Sequence, residues 1–176
     1  MSVNLHFANG SIRNTTISCD SLGIHYTVSK NRKVISLSRW DGRTNSNVVV
    51  GEFKLPFFRK DRIRVGPNGK WQPMRDYFDK PGMFSTSMTF RSNNGVKYTW
   101  KEHHGHLIMT RSGKKGALIK YHRNRWKSSY LEVLDSSTIN GLDTILLTFL
   151  IAERKKRKRR ETRTQQAEAI ASGVGG

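Results

Sequence analysis

The sequence predicts a mainly β fold: a closed β-barrel of about eleven antiparallel strands around one hydrophobic C-terminal helix. Eleven short segments are separated by turn-forming residues at the spacing typical of sandwiches and barrels. Near the C-terminus, residues 142–152 form the longest apolar run of the chain, and seven consecutive cations follow at residues 154–160. An eight-stranded barrel holds only its own side chains, whereas an eleven-stranded one has room for a helix.

The predicted strands alternate apolar and polar residues, as half-buried strands do. Tyr98 and Trp100, for example, share one face of a strand whose other face carries Thr99 and Lys101. The candidate strands are residues 3–8, 14–19, 23–29, 33–40, 47–55, 61–65, 86–91, 96–101, 106–111, 117–122 and 130–134.

Turn residues separate these strands. Pairs such as Asn9-Gly10 and Asp41-Gly42 supply the positive φ of tight turns. Residues 112–116 are typical of a further hairpin loop. The region 71–83 is less regular, and we predict a short helical turn at residues 74–78.

A helix is predicted from about residue 140 to 160, with several candidate N-cap residues at 136–140. Asp143 would lie near the positive end of its dipole. Residues 1–160 are expected to form a single domain, and residues 161–176 a flexible polar tail.

Three placements of this helix compete. A membrane span needs about 20 apolar residues, but residues 139–152 number fourteen and include Asp143. Packing on one sheet face requires a polar stripe, which Asp143, Thr144 and Thr148 could form. A helix inside a barrel fits best, because fourteen residues span roughly 21 Å, a suitable barrel height. No transmembrane span is expected.

The chain is strongly basic, with a net charge of +19 over 176 residues. Residues 153–176 hold eight cations and three carboxylates, which leaves +14 on residues 1–152. Such a surface favours anionic partners. Cys19 is the only cysteine, and the N-terminus lacks a secretory pattern, so we expect an intracellular, reducing compartment.

No pattern of catalytic or metal-binding residues stands out. His103, His104 and His106 lack the partners of a tetrahedral site, so a solvated hairpin loop is the better interpretation. Cys19 is interpreted as a half-buried strand residue, since nothing nearby in sequence would activate a thiolate. The sequence thus predicts a protein that is not an enzyme and needs no cofactor or metal.

Clusters of cations are the stronger candidates for a site. The candidate lipid- or anion-binding residues are Arg59, Lys60, Arg62, Arg64, Lys114, Lys115, Lys120, Arg123, Arg125 and Lys127. The basic tail comprises Arg154, Lys155, Lys156, Arg157, Lys158, Arg159 and Arg160. To bind a phosphate or headgroup, such residues must converge at one place.

Several segments together resemble a known family. They are residues 84–90, 95–101, 131–134 and 142–149, the last followed by Glu153-Arg154, with looser similarity at 14–16 and 23–26. This pattern resembles fungal domain-of-unknown-function family 6593. That family is similar to the tubby C-terminal and phospholipid-scramblase-like (LURP-one-like) superfamily. The resemblance implies a barrel of about twelve strands around a central hydrophobic helix, and it carries over no binding residues.

The leading functional expectation is a non-enzymatic, tubby-like domain that binds anionic membrane lipid, of the phosphoinositide type, through its basic surface and tail. It would be cytoplasmic or membrane-peripheral. One alternative is a nuclear or nucleic-acid-associated protein directed by residues 154–160. Another is a structural or interaction scaffold.

Overall fold

The computed structural model describes residues 2–56, 60–79, 86–124 and 128–173. Twelve antiparallel strands form one sheet in the order β7-β6-β5-β4-β3-β2-β1-β12-β11-β10-β9-β8. The strands are β1 Val3–Phe7, β2 Thr15–Cys19, β3 Ile24–Asn31, β4 Val34–Asp41, β5 Ser46–Lys54, β6 Arg62–Val65, β7 Gln72–Pro73, β8 Met88–Arg91, β9 Lys97–His103, β10 His106–Arg111, β11 Ile119–His122 and β12 Tyr130–Val133.

All eleven predicted strands are present, with ends within two residues of the prediction. The strand that sequence reasoning missed is β7, which has only two residues and ends in Pro73. A proline cannot donate to a sheet ladder, so β7 gives no strand signal and suits a sheet edge. The predicted helical turn at residues 74–78 is confirmed as α1, Met74–Tyr77.

The predicted closed barrel is not confirmed. Strands β7 and β8 are the two edges of the sheet, and within the described residues no ladder joins them. The chain that leaves α1 makes one isolated bridge to β8, in which the Asp79 N–H donates to the Thr89 carbonyl at 2.8 Å. As far as the described residues show, the sheet is open between β7 and β8, and α1 stands at this opening.

The C-terminal helix α2, Leu142–Gly173, is surrounded by the sheet rather than packed on one face. Every residue from Thr144 to Glu153 is buried, so no direction around this part of the helix reaches solvent. Its contacts come from both halves of the sheet. The Phe149 ring meets Trp100 of β9, and Leu147 lies against Gly51 of β5, where a Cβ would stand 2.5 Å from Leu147 Cδ2.

Polar contacts position the buried part of α2. Asp143 lies in its first turn, as predicted, and accepts hydrogen bonds from Tyr26 Oη at 2.6 Å and Arg39 Nη1 at 2.9 Å. Burial raises the pKa of Tyr26, and the bond to Asp143 adds to this. Deeper inside, Trp100 Nε1 donates to Thr148 Oγ1 at 3.1 Å. The indole N–H thus has an acceptor in an otherwise apolar interior.

Both ends of α2 differ from the prediction. The expected cap region is a 3-10 helix, Ser136–Gly141, whose first turn is capped by the Asp135 carboxylate. The helix also continues past residue 160 to Gly173, and its side chains are exposed from Arg160 onward. Within the described chain, no helix combines the length and apolar character needed to cross a membrane.

Candidate functional site

The seven cations of residues 154–160 lie where α2 leaves the sheet. In an antiparallel sheet, successive connections alternate between the two ends. The connections β1–β2, β5–β6 and β9–β10 therefore lie at one end, and backbone carbonyls from each accept from α2. Those carbonyls belong to Gly10, Pro56 and Gly105. We call this the exit end.

Most cations of the basic run, residues 154–160, bind acceptors at the exit end. Lys156, with a side chain only 6% exposed, donates to the Gly105 carbonyl and lies 3.5 Å from the Glu102 carboxylate. Arg160 Nη2 contacts the same carboxylate at 2.8 Å. Lys155 Nζ lies 3.2 Å from Asp61 Oδ2. The predicted basic tail is therefore largely a set of contacts that fixes the helix in its exit.

Further contacts complete this arrangement. Arg157 Nε donates to buried Glu153 at 2.8 Å, Lys158 Nζ donates to the Pro56 carbonyl at 3.4 Å, and Arg154 lies 3.5 Å from Glu161. Six of the seven cations in the run thus have an ion pair or hydrogen bond.

Electrostatics at Glu102 and Lys156 reflect this packing. Burial would raise the pKa of Glu102, but the neighbouring Lys156 and Arg160 cations outweigh burial and lower it. Burial lowers the pKa of Lys156, which Glu153 and Glu102 partly offset. The two cations therefore favour the charged form of the Glu102 carboxylate. The Lys156 ammonium group makes its contacts although burial disfavours its charged form.

Arg159 is the exception within the run. In the described part of the chain it has no ion pair and no hydrogen bond, although its side chain is half-buried. Burial lowers its pKa, and Arg163, one helical turn further on, adds to this effect against an opposing contribution from Glu102. Arg163 also makes no ion pair with any described residue. Two guanidinium groups therefore stand together with no carboxylate bound to either.

These two arginines line a groove of about 400 Å³ on the side of α2, which we call the cationic groove. Lys155, Arg159 and Arg163 recur at every fourth position, so they lie on the same face of the helix. The lining residues are Asp61, Lys155, Lys158, Arg159, Thr162 and Arg163. One carboxylate faces four cations, which leaves the groove positively charged.

A second cavity, of about 340 Å³, adjoins the cationic groove at the opening between β7 and β8. We call it the seam cavity. Its lining residues are Lys60, Asp61, Pro73, Met74, Arg75, Phe78, Asp79, Ser87, Met88 and Lys155. Asp61 and Lys155 line both spaces, so the groove and the cavity lie next to each other, with this ion pair between them.

The structure separates the cation clusters that the sequence suggested. Lys60 reaches the seam cavity. Arg62 instead donates to the Trp71 carbonyl at 3.0 Å, and Arg64 pairs with Glu52 and lies 5.3 Å from the centroid of the Trp71 ring. These last two cations have intramolecular partners on the outer face of β6.

The second cluster is dispersed. Lys114 and Lys115 lie in the β10–β11 connection, at the end opposite to the exit end, where Lys114 stands 4.0 Å from Asp135. Lys120 is exposed on β11 opposite Glu132. Of the third cluster, Arg123 is exposed in the β11–β12 connection, which the same alternation places at the exit end. The predicted site residues Arg59, Arg125 and Lys127 lie outside the described residues.

The histidine cluster forms the β9–β10 hairpin turn, as expected. His104 and Gly105 adopt positive φ values of 47° and 79°, which a two-residue hairpin requires. No group of three metal-ligating side chains occurs among the described residues. Cys19 is a buried free thiol at the end of β2.

Sequence reasoning missed several residues that line the two spaces. Arg163 stands outside the uninterrupted run of cations at residues 154–160 and beyond the predicted end of the helix. Its spacing of four from Arg159 was the available signal, because α2 continues past the predicted end. Met74, Phe78 and Met88 give no sequence signal, since their proximity depends on the meeting of two sheet edges.

A comparison with family models places the chain. Residues 10–158 match a family of unknown function, DUF6593. The match covers most of the chain, and the protein belongs to this family. A search of curated proteins gave no match, and a search of solved structures gave none either.

Proposed function

We propose that this protein binds anionic phospholipid at the exit end, with the phosphorylated headgroup in the cationic groove. The observation that carries the proposal is the pair formed by Arg159 and Arg163. Arg159 is half-buried, Arg163 is exposed, and neither forms an ion pair with a described carboxylate. A phosphate can bind such guanidinium groups through charge-assisted, bidentate hydrogen bonds. The other cations of the run serve mainly to hold the helix.

The distribution of charge supports a membrane surface as the partner. Cations from the helix and from Lys60 and Arg75 stand around one end of the domain, which suits contact with a flat anionic layer. An apolar cavity beside the groove also suits an amphiphile better than a nucleic acid backbone. In this proposal the protein is a non-enzymatic, membrane-peripheral domain.

We further propose that the domain is tubby-like. The twelve strands and the enclosed helix support this, and so does α1, which stands between the two sheet edges with a single bridge to β8. In the proposed arrangement, α1 and the Asp79–Thr89 bridge take the place of the missing ladder and complete a barrel.

Vesicle co-sedimentation tests the lipid proposal with a charge-matched control. The test variant is Arg159→Gln with Arg163→Gln, and the control is Lys114→Gln with Lys115→Gln at the opposite end, which removes the same charge. A basic side chain near an anionic surface contributes about 1 kcal/mol, so the test variant should bind about 30-fold more weakly. The control should bind vesicles containing phosphatidylinositol phosphate much as the wild type does.

Two outcomes would contradict this proposal. Equal binding of the wild type to neutral and anionic vesicles would remove its basis, and equal weakening in both variants would show a diffuse charge effect. A parallel titration with a DNA duplex addresses the nucleic-acid alternative. Affinity for the duplex that exceeds affinity for the vesicles, falls steeply with salt and is lost in the groove variant would replace lipid by nucleic acid.

A further inference from the structure

The seam cavity is apolar where it is deep and charged where it opens. Met74, Phe78 and Met88 are at most 9% exposed and belong to the hydrophobic core, so the walls of the cavity are continuous with the protein interior. The exposed cations Lys60 and Arg75 stand at its margin, whereas Lys155 pairs with Asp61 at 3.2 Å. The carboxylates of Asp61 and Asp79 also line the cavity. Such a combination fits a ligand that has an apolar body and an anionic end.

The cavity lies between the two edges of the sheet, which no ladder joins within the described residues. β7 is two residues long and contains Pro73, and α1 follows it at once. Two of its apolar lining residues, Met74 and Met88, are methionines, whose flexible thioethers adapt to ligands of variable shape. The space therefore suits an alkyl chain, which needs contact surface but no directional bonds.

We infer that the seam cavity receives one acyl chain of the lipid whose phosphate lies on Arg159 and Arg163. This inference rests on the proposed lipid-binding function and adds a chain-binding subsite to it. Three observations support it: the shared lining residues Asp61 and Lys155, the cations at the margin, and the apolar walls. A volume of about 340 Å³ lies at the small end of the range for ligand pockets, which suits a single chain.

A peptide strand is a weaker fit for the same opening. Strand addition needs a free edge, but the Thr89 carbonyl on the open edge of β8 already accepts the Asp79 N–H. A wholly polar anion would leave Met74, Phe78 and Met88 without contacts. An acyl chain with a phosphate at its end contacts both the apolar walls of the cavity and the cations at its margin.

A chain-length series tests the inference with the intact protein. Calorimetric titration would compare inorganic phosphate with alkyl phosphates of increasing length, each below its micelle concentration. If the chain enters the cavity, affinity should rise about fourfold for each buried methylene and level off when the cavity is full. The stoichiometry should be one alkyl phosphate per protein.

Two variants separate the chain subsite from the headgroup site. Met88→Gln preserves volume but makes the wall polar, so it should flatten the dependence on chain length and leave inorganic phosphate binding unchanged. Arg159→Gln with Arg163→Gln should lower the affinity of every member of the series by a similar factor and keep the slope. The chain-length series uses the wild-type protein alone, so its result does not depend on whether a variant folds.

The possible failures are distinguishable. Phosphate binding that is independent of chain length, together with groove-dependent vesicle binding, would overturn the acyl-chain subsite and leave the proposed function standing. No binding of any phosphate, with vesicle binding indifferent to the groove variant, would overturn both. A slope unchanged in Met88→Gln would place the chain elsewhere and refute the inference.

Discussion

Replacing Phe149 by alanine tests whether α2 is the core of this domain. Phe149 is fully buried, and its ring centroid lies 4.8 Å from that of Tyr121, 5.5 Å from Trp100 and 5.7 Å from Phe7. These contacts come from β11, β9 and β1, so the cavity left by the substitution could not be filled by a shift of one strand. Phe→Ala in such a site costs about 3–5 kcal/mol, and we expect the upper half of that range.

Urea denaturation followed by far-UV circular dichroism measures this cost. With an m-value of about 2 kcal/mol/M, a loss of about 4 kcal/mol should lower the midpoint by about 2 M. Ile170→Ala is the matched control, because Ile170 lies on the same helix but is 70% exposed. It should change stability by less than about 0.5 kcal/mol. Similar midpoints for the two variants would show that the sheet does not enclose the helix.

Three further predictions concern single contacts. Thr148→Val leaves the Trp100 indole N–H without its acceptor and should cost about 1–3 kcal/mol, measured by urea denaturation; no loss would mean that the indole finds another acceptor. Gly51→Val forces a side chain against Leu147 and should cost about 1–3 kcal/mol; a neutral result would contradict the close packing of β5 on α2. Burial alone would raise the pKa of Glu102, but the neighbouring cations Lys156 and Arg160 lower it below its usual value. The stabilising effect of Glu102 should therefore be complete above its unfolded pKa of about 4.3 and disappear as pH falls through the lower folded value. The midpoint difference between the wild type and Glu102→Gln should shrink below about pH 4, and a constant difference would refute this.

The strands could be predicted from sequence because their signals are local. Alternation such as that of Tyr98 and Trp100, and turns such as residues 93–95, specify a strand and its ends within a few positions. β7 gave no such signal, since two residues cannot alternate. Local sequence patterns also could not predict whether the sheet closes into a barrel, because closure depends on how the short edge strands β7 and β8 are placed around α1.

The candidate site could be predicted only as an excess of charge. Several acceptors of the basic run, among them Asp61, Glu102 and the Gly105 carbonyl, lie about 50 to 100 positions away in sequence. Sequence alone could not show that these acceptors surround the helix as it leaves the sheet. The sequence therefore predicts the same anion-binding role for Lys156 and Arg159. In the structure, Lys156 forms an ion pair with Glu102, whereas Arg159 forms none with any described carboxylate.

This difference decides how the basic run should be studied. Removing residues 154–176 would delete both the two arginines of the groove and the contacts that hold α2 in its exit, such as Lys156 with Glu102. A truncated protein that fails to bind lipid could then have lost a ligand site or its packing, and the two causes would look alike. Point substitutions avoid this ambiguity, because Arg159 and Arg163 bind no described carboxylate and their loss should not lower the urea midpoint. Function can therefore be assigned at this end of the domain only by variants that change binding without changing stability.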